Sequence, residues 1–423
     1  MSGIEDDNKM GIETGIEAIE SKLKVETVHW MFQLLEVIGI DTMTWQLHNK
    51  EIFAQFDEDD SYQCFELLRA AFEQAAEKTH LQKRFFRIGD HNICLSFASA
   101  AMLDHIVPAI AHLETSPTAD PELTICIWDS ASTKTQLPGL LPVFIQIFHW
   151  YWHEYLDGRQ NIKPLCNDRF LASLKLGANV FSMLDWQTNT ALYWIKDEAD
   201  LPYWDKSSPL QVILSWWLGR HQRQYVHAAA VGMPAGGVLI AAKGGSGKST
   251  SALSCLSSEL SYVGDDYCLV ATEPEPYAYS LYCTGKLKGA KDFERLPQLA
   301  HMCSNQAELE EEKAVFFFKD YFPDKIISGF PLRAILVPKI TGKKDTHIIK
   351  SSTVAGLKAL APSTLFQLSG TGKNAMGTMA DLARQLPCYA LELGTEIEQI
   401  PKAISCLLED LNAEAISIGA NDS

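Results

Sequence analysis

Between Ala242 and Ser249 the chain reads Ala-Lys-Gly-Gly-Ser-Gly-Lys-Ser, and Thr250 follows. Glycines at this spacing let backbone N–H groups turn inward and cradle phosphate oxygens. A lysine placed as Lys248 is reaches the β- and γ-phosphates of a nucleoside triphosphate, and a hydroxyl placed as that of Ser249 ligates Mg²⁺. The expected nucleotide-binding residues are therefore Lys243, Gly244, Gly245, Ser246, Gly247, Lys248, Ser249 and Thr250, with Ala242 standing where the pattern opens on glycine. A glycine-rich turn arising by chance is the plain alternative. The apolar run Val238–Ala242 before the loop, and a helix expected over about Ser249–Ser258, count against it, because the motif requires strand, loop and helix in that order. Such a helix would also point its positive end at the phosphates.

Two adjacent carboxylates, Asp265 and Asp266, follow Lys248 by 17 and 18 residues, between Tyr262-Val263 and Cys268-Leu269-Val270. His227 precedes Lys248 by 21 residues. A histidine, a lysine and two carboxylates can form a phosphoryl-transfer centre. One carboxylate accepts the proton of an attacking hydroxyl, the other positions Mg²⁺, and the histidine polarises or holds a carboxylate. The plain alternatives are a turn signal for the Asp pair and a hydrogen-bonded core histidine for His227. His227, Lys248, Asp265 and Asp266 are the candidate catalytic residues, and Ser249, Asp265 and Asp266 the candidate metal ligands. Lys286, Lys288 and Arg333 are candidate cations for the transferring group, each also explicable as a solvated surface charge. ATP and Mg²⁺ are the expected cofactors.

These residues need elements to hold them. Val226–Val231 and Gly237–Ala242 read as strands, with His227 on the first, joined through Gly232-Met233-Pro234-Ala235-Gly236-Gly237. So short a connection suits an antiparallel hairpin, whereas a parallel pair would need a crossover. Leu332–Pro338 reads as a later strand. Ser207-Ser208-Pro209 is expected to open a helix by capping it, with Leu210, Ile213, Leu214, Trp217 and Leu218 as its apolar stripe and an end near Gly219. Upstream, Asn92–Phe97 and Leu123–Trp128 look like strands and Ala101–Leu113 like a helix, whereas Val28–Ile38 and Cys64–Ala76 carry helical spacing. The fold class is mixed α/β (α+β). Expected regions are 1–84, acidic and mostly helical; 85–206, an α+β accessory or substrate domain; 207–413, the nucleotide-binding domain; and 414–423, a flexible tail.

Bulk properties narrow the classes. Of 423 residues, 47% are hydrophobic, enough for full-sized cores. A formal net charge of −17 argues against general nucleic-acid binding, which needs a basic face. Part of the acid lies in runs such as Asp57-Glu58-Asp59-Asp60 and Glu308–Glu312, which read as solvated faces. The ten cysteines form no C-x-x-C pair and sit singly in apolar stretches, as reduced thiols of a cytoplasmic protein would. Met1–Met10 is acidic without an apolar stretch, so no secretory leader is expected. No apolar run reaches the roughly 18–20 residues of a membrane span; Gly139–Leu156 is broken by Gln146, His149, His153 and Glu154. His149 and His153 share a helical spacing that could hold zinc, but the aromatic residues between them favour packing. Gly370-Thr371-Gly372-Lys373 resembles half a phosphate loop, yet no apolar strand leads into it.

The stretch Tyr225–Val270 resembles the catalytic domain of HPr kinase/phosphorylase, a bacterial serine kinase with a phosphoenolpyruvate-carboxykinase-like nucleotide fold. In that family a histidine opens a strand, a hairpin leads to the phosphate loop, and an Asp pair ends the next strand. His227, Lys248, Ser249, Asp265 and Asp266 fall on those positions. The resemblance implies a PEP-carboxykinase-like domain with an antiparallel hairpin before the loop, His227 and Lys248 as active-site groups, Ser249 as a Mg²⁺ ligand, and the Asp pair as general base and partner. Ala361–Leu365 and Leu386–Gly394 also look like segments of HPr-kinase-like proteins. The family's glutamate-and-arginine segment and its Pro-Gly-Arg-Asn loop have no counterpart; Ser280–Lys288 stands there instead. Relatives with divergent ends include kinases of peptide serines. The acceptor implied is a serine of a protein or peptide, with a small-molecule hydroxyl or an ATP-binding regulator without transfer as alternatives. No nucleic acid or membrane insertion is implied, and a homo-oligomer is allowed.

Overall fold

The computed structural model of the protein describes residues 57–138, 145, 152–288, 290–310, 312–368 and 374–419. The expected helix at Val28–Ile38, His149 and the Gly370–Lys373 turn lie outside them. Of the unit Met1–Asp60, only 57–60 are described, where the helix Glu58–Lys78 begins; residues 61–423 form one compact unit. From Phe65 onward that helix buries Phe65, Leu68, Ala71, Phe72 and Ala75, the three-and-four spacing of an amphipathic face. Phe65 meets Phe170, and Phe72 meets Trp128 edge-on.

The first sheet holds β1 (Gln82–Ile88), β2 (His91–Phe97), β3 (Glu114–Thr115), β4 (Leu123–Asp129), β5 (Phe170–Lys175), β6 (Val180–Asp185) and β7 (Thr190–Ile195), in the order β3-β1-β2-β4-β7-β6-β5. The two expected strands, β2 and β4, are parallel. The helix Ala100–Ile110 crosses between them, capped by the Ser99 hydroxyl, which accepts from the Met102 N–H. This is the crossover a parallel pair needs. Ile93, Leu95, Ile125 and Ile127 are wholly buried, with Met102 and Ile106 from that helix.

The helix after Pro209 differs from its expected form. It runs over Gln211–Arg220 from a left-handed Leu210, and no side chain caps it. The Ser207 and Ser208 hydroxyls instead donate to the Trp204 carbonyl, in the turn before. Val212, Ile213, Leu214, Trp216, Trp217 and Leu218 are all buried. The narrow stripe is absent because the helix is enclosed, packed in one core with the first sheet and with Tyr225, Leu269 and Tyr282.

The second sheet holds β8 (Gln224–Val226), β9 (Ala229–Met233), β10 (Gly236–Ile240), β11 (Ser261–Gly264), β12 (Cys268–Ala271), β13 (Tyr277–Tyr279), β16 (Gly329–Ile340), β17 (His347–Lys350) and β18 (Cys388–Leu393); β14 (Thr284–Leu287) and β15 (Ala314–Phe317) form a separate ribbon. β9 and β10 are the expected antiparallel hairpin, with Val238 opposite Val231 and Ile240 opposite Ala229. β16 pairs parallel with β10 and β18. Both faces of β10 are covered. Val238 and Ile240 join Ala252, Leu253, Ile400 and Ile404; Leu239 and Ala241 join Leu360, Met379 and Leu382 from the helices Thr353–Gln367 and Ala375–Gln385. A strand buried on both faces reads as an unbroken apolar run, which is why Val238–Ala242 does. The helix Gln399–Gly419 carries helical structure through 414–419, into the expected tail, because no glycine or proline interrupts it after Pro401 until Gly419.

All ten cysteines are free thiols. Burial pushes Cys126, Cys255 and Cys268 up to about 12, whereas Cys406 on the last helix is exposed. No helix among the described residues is long and apolar enough to cross a membrane.

Candidate active site

The site grows from two interruptions in neighbouring strands. Val226 ends β8 and Ala229 begins β9, leaving His227 and Ala228 in a break. Gly264 ends β11 and Cys268 begins β12, leaving Asp265, Asp266 and Tyr267 in a second. Val226 is opposite Cys268 on one side of the breaks, and Ala230 is opposite Gly264 on the other. The interruptions therefore lie side by side. His227 is not on a continuous strand, as its apolar neighbours suggested: β8 pairs with β12 and β9 with β10 and β11, and the chain changes partners at the histidine.

The second break is a tight turn. The Tyr267 N–H donates to the Asp265 carbonyl at 2.9 Å, and Asp266 has φ +69°. A two-residue hydrogen-bonded closure with positive φ at its centre marks the rare, strained form of the γ-turn. Aspartate tolerates this region better than most residues, and such strain concentrates at working sites.

Lys248 opens the helix Lys248–Ser254, directly after the glycine-rich loop that leaves β10. Its ammonium donates to Asp265 Oδ1 and to Asp266 Oδ1, both at 3.1 Å. His227 Nε2 lies 3.3 Å from Asp266 Oδ1, and Lys286 Nζ lies 3.3 Å from Asp266 Oδ2. Burial alone would raise the Asp266 carboxyl; Lys248, Lys286 and His227 outweigh it and hold the group well below the usual carboxylate range. Burial pulls Lys248 down, and the two carboxylates more than reverse this, leaving its ammonium firmly charged. Both groups thus point to a fully ionised pair.

Within the loop, Gly245 and Gly247 have φ +79° and +96°, a region open to glycine at little cost. A Cβ on Gly247 would lie 2.3 Å from Leu393 Cδ1, whereas Cβ atoms on Gly244 or Gly245 would meet nothing. Lys243, Gly244 and Gly245 are exposed, Ser246 and Ser249 half-buried, and Thr250 buried.

Of the three candidate cations, Lys286 alone is shown at the cluster. Lys288 is exposed, and its N–H is held by Asp292. Arg333 pairs with Glu275 and donates to the Ala235 carbonyl, at the turn end of β10 and away from the loop. Its side chain lies over Gly236, where a Cβ would stand 2.7 Å from Arg333 Cγ. Two contributors were not foreseen. The Thr364 hydroxyl accepts the backbone N–H of His227 at 3.1 Å, and the Tyr267 ring lies 5.6 Å from the His227 ring and beneath the Lys286 ammonium. The one signal for Thr364 is a Ser-Thr pair inside the apolar segment Ala361–Leu365.

The two carboxylates suit a hard divalent ion, and one of their oxygens, Asp265 Oδ2, is buried and has no hydrogen-bond partner. No group of three or more His, Cys, Asp or Glu side chains fit to hold a metal occurs among the described residues. An ion here would draw ligands from a bound phosphate as well.

No family model matches the chain, and no curated protein does. Among solved structures it is similar to the Hpr(Ser) kinase/phosphatase from Coxiella burnetii, at 11% identity over 47% of this chain and 96% of that one, with a TM-score of 0.28. A likeness at that score carries no weight for function, which has to come from the residues.

Proposed function

We propose that the chain is an ATP-dependent kinase that transfers the γ-phosphoryl group to a hydroxyl, most simply a serine of a protein or peptide. The observation behind this is the convergence of Lys248, at the end of a glycine-rich strand–loop–helix segment, on the carboxylates of Asp265 and Asp266, with His227 beside them. The segment Lys243–Thr250 is the phosphate loop of this reading. Its open glycines lie along the triphosphate, and Lys248 leaves the carboxylates for the β- and γ-phosphate oxygens. Asp265 and Ser249 would hold Mg²⁺, which would supply charge neutralisation for the transferring phosphoryl group.

Asp266, the less buried of the pair, is the base. While Lys248, Lys286 and His227 all face it, its proton affinity is too low for the role. Once Lys248 moves to phosphate, Asp266 keeps Lys286 and His227, and its basicity rises when the acceptor hydroxyl must lose its proton. The acceptor oxygen bonds to the γ-phosphorus, the bond from that phosphorus to the bridging oxygen breaks, and ADP leaves. His227, its backbone N–H held by Thr364, steadies the carboxylate through Nε2.

The test is transfer from γ-labelled ATP to protein in host lysate, followed by identification of the labelled species. Lys248→Ala should lose both nucleotide binding and transfer. A thermal shift with ATP that is unchanged in Lys248→Ala would remove the phosphate-loop assignment.

A further inference from the structure

The cluster is balanced in charge and nearly saturated in hydrogen bonds. Asp265 and Asp266 carry two negative charges; Lys248 and Lys286 carry two positive ones. Asp266 Oδ1 faces Lys248 and His227, its Oδ2 faces Lys286, and Asp265 Oδ1 faces Lys248. Asp265 Oδ2 and His227 Nδ1 are left over, both buried and without a partner, and of the carboxylate oxygens only Asp265 Oδ2 is so.

We infer that Lys248 and Lys286 close the acidic pair to divalent metal in the nucleotide-free protein, so that metal enters only together with the phosphates that draw Lys248 away. This rests on the kinase reading for the identity of the nucleotide. A divalent ion arriving alone would meet two ammonium groups and one available carboxylate oxygen. Mg²⁺ takes six oxygen ligands at close range and gives up water reluctantly. Displacing Lys248 without offering it an anion would strand a buried ammonium, which is costly. A triphosphate removes both obstacles, giving Lys248 new partners and bringing oxygens of its own. Lys286 is less free to leave. It stands on β14, paired along its length with β15, and its ammonium lies over the Tyr267 ring. The exchange therefore turns on Lys248, and the oxygens it uncovers are Oδ1 of Asp265 and one side of Asp266. The site guards itself against metal without nucleotide, an arrangement that would otherwise leave the loop and the carboxylates working against each other.

The experiment uses Mn²⁺ as probe and the full chain without nucleotide, following loss of the electron paramagnetic resonance signal of the free aqua ion. An opposite charge at these distances is worth about one to three powers of ten in the affinity of a carboxylate for a competing cation. The unmutated protein should bind Mn²⁺ weakly, and Lys248→Met about tenfold or more tightly. Lys286→Met should show a smaller gain, and serves as the second variant if Lys248→Met does not fold. Adding Asp265→Asn to Lys248→Met should abolish the gain. Tight Mn²⁺ binding by the unmutated protein alone overturns the inference, as does an unchanged affinity in folded lysine variants. Failure of the unmutated protein to bind ATP, with the lysine variants still gaining Mn²⁺ affinity, would instead sink the kinase reading and leave the guarded pair standing.

Discussion

The two large sheets handle polar groups in opposite ways. In the first, β4 and β7 pair without interruption from Thr124–Thr190 to Asp129–Ile195, and buried charge is kept to the margins. Asp185 closes β6 in a two-pronged pair with Arg169, and Asp205 meets Lys175 beyond β7. In the second, the charges lie in the middle, where β8 gives way to β9 and β11 to β12. An uninterrupted ladder alternates its side chains between two buried faces and leaves no opening for a carboxylate. A broken one turns a few residues out of the alternation, at the cost of a strained turn at Asp266. The difference teaches where to look for chemistry in a sheet: at the interruptions.

The largest effect should come from the carboxylates in the break. Asp265→Asn and Asp266→Asn should each lower phosphoryl transfer by about 10²–10⁴-fold, measured with labelled ATP. Asp185→Asn in the first sheet should leave transfer per folded molecule unchanged while lowering stability. Equal losses in all three would erase the contrast. Next, Ile125→Ala, in the unbroken sheet, should cost about 2–5 kcal/mol, read from the denaturant midpoint, again without a change in transfer per folded molecule.

Acid should separate the two regions by pH window. Burial, helped by Lys319, holds His112 neutral down to about 3, and burial with Lys206 holds His105 neutral to about 4. The unfolded chain protonates both near pH ~6.5. Their contribution is therefore complete above that pH and declines as pH falls toward the folded values. Asp266 is depressed, so its contribution is complete above the unfolded carboxylate value of about 3.9 and is lost only as pH falls further. Stability measured against pH should lose part of its slope between about 6.5 and 4 in His112→Gln, His105 supplying what remains, whereas Asp266→Asn should lose slope only below about 4. A slope unchanged in His112→Gln would show that this histidine is not what loses stability in acid. The smallest effect is assigned to Thr364→Val, which deprives the buried His227 N–H of its acceptor. It should cost about 1–3 kcal/mol by thermal melting, with transfer reduced by no more than about tenfold.

What could be read beforehand was what is local. A phosphate-loop-like turn needs its glycines, lysine and hydroxyl within eight residues, and a hairpin needs a short connection; both stand in the chain as contiguous text. The break at His227 does not, since Val226-His227-Ala228-Ala229 reads as one strand and is divided only by which partners its two halves find. Lys286 could be proposed as a cation, but its contact with Asp266 depends on the β14–β15 ribbon. Thr364 reaches His227 from 137 residues away. Arg333 shows the same limit: a cation beside apolar residues looks alike in sequence whether it faces a phosphate or, as here, Glu275 and the Ala235 carbonyl. The serines before Gln211 could cap a helix, and the left-handed Leu210 directs them elsewhere.

The distribution of thiols gives the protein a built-in address for dyes. Thiolates are the nucleophiles that add to maleimides, and burial holds Cys126, Cys255 and Cys268 in the protonated form while packing denies access to them. Cys406 stands in solvent on the helix whose Ile400 and Ile404 pack against β10. Brief treatment of the native chain should label Cys406 first, ahead of the partly exposed Cys64 and Cys166, whose thiols burial pushes up to about 12 and about 11. The slower uptake of label at Cys255 and Cys268, followed by mass spectrometry of peptides, then becomes a clock for how often the loop helix and the strand after the Asp pair open to water.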